Sequence, residues 1–114
     1  MLDVSPKLVS ALETILPTYP EMFLEETKLP CISYFLYGDT QDETGDTLQY
    51  SSVSYVIKVW GHTIKEVIQN SQEIDWILNP MGYRRQSSGL QQSNGLICNV
   101  LIYRGKGIEF YNEI

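Results

Sequence analysis

The chain has 114 residues, 43% of them apolar, and a formal net charge of −6. That length suits one modest core, so a single domain over residues 1–114 is expected and two are excluded. No apolar run approaches the roughly 20 residues that cross a bilayer. No basic region followed by an apolar stretch opens the sequence, so a secretory signal is not expected.

The charge is unevenly placed. Residues 1–48 carry nine acids against two bases, and residues 49–114 carry six bases against five acids. An acidic half argues against nucleic-acid binding, because phosphates are neutralised by Lys and Arg. Surface acids that confer solubility explain the asymmetry without any partner. An acidic face that meets a mildly basic one between identical subunits explains it as well.

Ser5-Pro6 opens the first helix, since Ser caps exposed amides and Pro suits the first helical position. Leu8, Val9, Leu12, Ile15 and Leu16 follow at helical spacing, and Pro17 and Pro20 stop it. Residues 18–30 read as an acidic connector tacked down by Met22, Phe23 and Leu24. Residues 31–37 form a short strand that is apolar on both faces. Residues 38–48, with Asp39, Asp42, Glu43, Gly45 and Asp46, form a loop. A long strand over 49–60 then alternates, with Val53, Tyr55, Ile57 and Val59 on one face and Ser52, Ser54 and Lys58 on the other. That period of two marks a half-buried antiparallel strand.

Thr63 and Glu66 make a capping box at the start of a second helix, whose apolar face is Ile64, Val67, Ile68, Ile74, Ile77 and Leu78. Asn79-Pro80 and Gly82 end it. Residues 81–95 are too polar for a core, and Asn94-Gly95 signals a hairpin into the apolar strand 96–103. A polar strand beside an apolar one belongs at a sheet edge or at a surface that meets a partner. Residues 104–107 read as a turn, and 108–111 as a short last strand. The fold expected is α+β, with helices packed on one face of a mainly antiparallel sheet in the order α-β-β-α-β-β. The opposite sheet face is expected to carry Tyr34 or Phe35, Tyr50, Ser52, Ser54, Trp60 and Tyr103. Trp60 and Trp76 are expected to pack the core.

No catalytic, cofactor or metal motif stands out. His62 is the one histidine and sits at a helix start, where turn or cap duty is its expected role. Cys31 and Cys98 read as small buried hydrophobes, able to bridge only if their strands are neighbours. Asp39, Asp42, Glu43 and Asp46 lack the glycine and closing glutamate of a calcium loop. Gly105 and Gly107 are followed by no helix, which removes the anion site of a phosphate loop. Arg84-Arg85 can hold an anion or an acidic protein surface through bidentate pairs. The expectation is no enzyme activity and no cofactor.

The order and texture of the elements resemble the small tail-completion proteins of long-tailed bacteriophages and prophages, also called tail terminators or head-to-tail joining proteins. The resemblance is carried by an N-terminal helix and a strand opening Leu29-Pro30-Cys31-Ile32-Ser33-Tyr34. A charged loop, the long strand Tyr50 to Trp60 and an immediate helix follow. Met81-Gly82-Tyr83-Arg84-Arg85 then pairs back from Val100-Leu101-Ile102-Tyr103-Arg104. It implies a virion protein of the tail or neck, made in the host cytoplasm, whose copies form a ring, usually a hexamer. The ring would complete the tail tube and dock to the head connector. No membrane and no specific nucleic-acid binding are implied, DNA being able to pass through the ring. The candidate subunit interface is Asp39, Asp42, Glu43 and Asp46 against Arg84 and Arg85. The alternative is a small cytoplasmic adaptor or regulatory domain that binds a protein partner through its sheet face.

Overall fold

The computed structural model describes residues 6–20, 29–41, 51–93 and 95–106. Its elements in chain order are α1 (Pro6–Glu13), β1 (Thr18–Pro20), β2 (Cys31–Gln41), β3 (Ser51–Gly61), α2 (Ile64–Leu78), β4 (Arg84–Ser93) and β5 (Leu96–Lys106). A 3-10 turn, Asn79–Met81, follows α2. The fold class is α+β, as expected.

The arrangement differs from α-β-β-α-β-β. One five-stranded sheet runs β1-β2-β3-β5-β4, and it is mixed, because β1 lies parallel to β2 while the other pairs are antiparallel. The additional strand falls inside the stretch expected to be connector. Three residues are too few for a period of two to register. They are ordered by position: α1 ends before Pro17, and the Ile32 amide donates to the Pro17 carbonyl at 2.8 Å. Thr18, Tyr19 and Pro20 then fall beside Ile32, Ser33 and Tyr34.

Two other boundaries move. β2 runs through Gly38 and Asp39 to Gln41, past a register shift between Leu36 and Gly38, where a loop was expected; residues 42–48 of that expected loop lie outside the described residues. β5 runs through Gly105 to Lys106, where a turn was expected. Gly105 is buried, and the Tyr83 ring lies where a Cβ would stand, 2.5 Å away. Its glycine therefore serves close packing within a strand. The expected last strand at 108–111 lies outside the described residues.

The alternation read from β3 is observed. Val53, Tyr55, Ile57 and Val59 are fully buried on the helix side. They pack with Leu8 and Leu12 of α1, Val67, Ile74 and Leu78 of α2, and Leu101 and Tyr103 of β5. Tyr55 and Tyr83 meet edge to face, their ring centroids 5.7 Å apart. At the start of α2 the Thr63 hydroxyl accepts from the Glu66 amide at 3.1 Å, and Glu66 Oε1 accepts from the His62 amide at 2.9 Å. That is the expected box with its return bond moved one residue outward. Gly61 makes room for it, since a Cβ there would stand 2.5 Å from Glu66 Oε1.

β4 takes the sheet edge that its polarity implies. A register shift between Arg85 and Ser87 leaves Gln86 as an extra residue against β5. Gly95 has φ +78°, as a hairpin turn there requires.

Candidate assembly surface

β4 opens with Arg84 and Arg85, and successive strand residues face opposite ways. Arg85 shares the helix side with its register partner Tyr103. Its Nη2 lies 2.7 Å from Asp75 Oδ2, and the Tyr103 hydroxyl donates to Asp75 Oδ1. One α2 carboxylate is thus held on both oxygens, from β4 and from β5. Burial, reinforced by the Asp75 hydrogen bond and charge, pushes the Tyr103 phenol well above its usual value. The Asp75 contact was not anticipated. The available signal was an acid one turn from Ser71 and three residues before Leu78, both buried.

Arg84 is exposed, and its Nη1 donates to the Asn79 carbonyl at 3.2 Å. Its register partner is Arg104, which stands opposite Ser54, which stands opposite Gly38. Like charges directly opposite each other on neighbouring strands repel. Asp39 belongs to the adjacent row, opposite Val53. Of the residues expected at a subunit interface, Asp39, Arg84 and Arg85 therefore share one end of the sheet. Asp42, Glu43 and Asp46 lie outside the described residues. Asp75 is the acid that engages Arg85, while Arg84 donates to the Asn79 carbonyl.

The sheet face away from the helices carries Phe35, Val56 and Ile102 in one row, and Cys31, Trp60 and Cys98 in another. Phe35, Ser54 and Trp60 are on this face as expected. Tyr34 and Tyr103 are not: Tyr34 aligns with Ile57, and Tyr103 with Tyr55, on the helix side. Trp60 is half-buried, its indole donating to Ser33 Oγ at 3.0 Å. Trp76 is the clearer departure. It is 71% exposed, because it sits on the side of α2 opposite Ile74 and Leu78. The two cysteines flank Trp60 from either side, with β3 between their strands. Two strand spacings, roughly 9.6 Å, exceed the reach of a disulfide.

A cavity of about 350 Å³ opens between α2 and β4. Ile68 and Leu90 form its apolar wall, and Ser71, Asn99, Arg85 and Ser88 supply polar groups. Asn99 Nδ2 donates to Ser71 Oγ, which donates to the Val67 carbonyl. No group of three or more His, Cys, Asp or Glu placed to hold a metal occurs among the described residues. No helix among them is long and apolar enough to cross a membrane.

No family model matches this chain, and no curated protein matches it.

Proposed function

We propose that this protein is a non-enzymatic structural part of a phage or prophage particle. Its copies form a ring, usually a hexamer, that completes the tail and docks to the head connector. The observation that carries the reading is β4: a ten-residue polar strand on a sheet edge, led by two arginines and exposed from Arg84 through Gln92. Such a surface stabilises no core of its own and suits contact with another protein. The order of elements that resembles the tail-completion proteins supplies the particular setting.

In this reading Arg84 and Arg85 of one copy face Asp39, Asp42, Glu43 and Asp46 of the next. That contact is heterologous and closes into a ring. Asp75 neutralises much of Arg85 within the subunit, so Arg84 carries most of the attraction. Native mass measurement of the protein with tails present tests it. A closed ring is the expected outcome, and a protein that remains monomeric on tails overturns it.

A second reading, an adaptor that binds one partner through its sheet face, is favoured by Phe35, 36% exposed on the face away from the helices. Monomeric protein with one stoichiometric partner would support it.

A further inference from the structure

We propose that the outer edge of β4 receives an extended strand from a partner protein, laid antiparallel. An apolar side chain of that strand would enter the cavity beside Leu90, and acidic residues near its C-terminal end would reach the arginines. In naming a protein strand as the occupant, this rests on the reading of the protein as an assembly part. The guest's acids and those of a neighbouring copy would compete for the same arginines, and strand binding and ring closure are measured separately, so either can fail alone.

The two edges of the sheet are built differently. β1 is three residues long and ends in Pro20, a short edge that accepts little pairing. β4 is ten residues long, and none of the described strands pairs with its outer side. From Ser87 to Ser93 it contains no charge and no proline. Charge and proline are the usual means by which an exposed edge is kept from pairing. The register shift at Gln86 guards only the arginine end.

The cavity lies under this same stretch. Ser88 and Leu90 stand on the helix side of β4 and line it, and Ile68 faces them from α2. Ile64, one turn before Ile68, is 56% exposed, and Leu90 is 48% exposed. Apolar surface is thus left open where an added strand would place its alternate side chains. Main-chain bonds to an edge give such complexes affinity, and pockets for alternate residues give them specificity. A volume of about 350 Å³ is at the small end of ligand cavities and is ample for one branched aliphatic side chain.

Charge sets the direction. Arg84 and Arg85 lie at the N-terminal end of β4. An antiparallel guest brings its C-terminal end there, and antiparallel pairing is slightly the more stable arrangement. A second copy's β4 is a poor guest, because it offers two arginines and no acid. Its β1 is too short. The guest is therefore a strand of different chemistry, with apolar residues at alternate positions and acids at its C-terminal end.

The test uses the full chain and a fluorescently labelled eight-residue peptide of alternating threonine and isoleucine ending in two aspartates. Anisotropy should report saturable binding that weakens with added salt. A peptide with the aspartates moved to the N-terminal end should bind at least about tenfold more weakly, which is about 1.4 kcal/mol. A central proline in the peptide should abolish binding. Leu90→Lys places a charge at the cavity mouth on an already exposed position and should weaken binding at least as much, with unfolding unchanged. No binding at about millimolar peptide, or equal binding of the proline-containing peptide, overturns the proposal. So does sedimentation showing wild-type dimers that Leu90→Lys separates, since a second copy would then occupy the edge.

Discussion

Asn99 Nδ2 donates to Ser71 Oγ at 2.9 Å, joining β5 to α2 through two side chains that are almost wholly buried. The Ser71 hydroxyl in turn donates to the Val67 carbonyl at 2.7 Å, so the pair is a short polar chain ending on helix backbone. It lines the cavity and ties α2 to β5.

Removing one member should cost more than removing both. Ser71→Ala leaves the Asn99 amide buried without that acceptor, which costs about 1–3 kcal/mol. Ser71→Ala combined with Asn99→Leu replaces the pair by apolar groups and should cost less than the sum of the single changes. Denaturant unfolding of the two single variants and the double variant measures the coupling. Strict additivity would mean the bond contributes nothing specific.

Gly105→Ala should destabilise the fold, by about 1–3 kcal/mol as overpacking does. The added methyl meets the Tyr83 ring at 2.5 Å, and that ring is itself buried and held edge-on by Tyr55. Adding Tyr83→Leu should recover part of the loss if the ring is the obstacle. Thermal unfolding that leaves Gly105→Ala level with the wild type would show that the ring gives way freely.

Much of the fold was legible because burial on one face writes itself into a strand. Val53, Tyr55, Ile57 and Val59 announced their side by alternation, and Thr63 and Glu66 announced the start of α2. The edge position of β4 was one of the two places its polarity allowed, the other being a surface that meets a partner. What stayed hidden depended on which strands become neighbours. Tyr103 and Trp60 both read as wet-face aromatics, yet the register puts Tyr103 beside Tyr55 on the helix side, where its hydroxyl donates to Asp75. Trp76 was expected in the core, although its helical position lies opposite Ile74 and leaves it 71% exposed. The interface reading paired Arg85 with acids far along the chain, whereas a nearer acid on α2 holds it.

The Tyr103–Asp75 contact makes a pH prediction. The folded-state phenol titrates above its usual value of 10, so the unfolded chain ionises first. Its contribution to stability is complete below about pH 10 and is lost as pH rises through the higher folded value. Tyr103→Phe should therefore lower stability near neutrality by about 1 kcal/mol. It should also flatten the fall in stability between about pH 9 and about pH 11. Unfolding midpoints across that range compare the two proteins. Parallel curves would show that Tyr103 ionises equally well folded and unfolded.

Charge reversal separates the two arginines, and it tests the ring reading directly. Arg84 is exposed and, among the described residues, its Nη1 donates to a neutral carbonyl, so Arg84→Glu should leave folding stability within about 0.5 kcal/mol of the wild type. Arg85→Glu faces the Asp75 carboxylate with a second one and should destabilise the monomer measurably. If acids of a neighbouring copy meet this end of β4, Arg84→Glu should nonetheless block association, because like charges across a contact cost several kcal/mol. Asp42→Lys with Glu43→Lys should then restore part of it. The attraction should weaken with salt, since the screening length is about 8 Å at physiological ionic strength. Native mass and sedimentation of wild type, reversal and compensated protein, each with tails present, decide the matter. A stably folded Arg84→Glu protein that assembles as the wild type does would mean that Arg84 is merely solvated and that any ring closes through another surface.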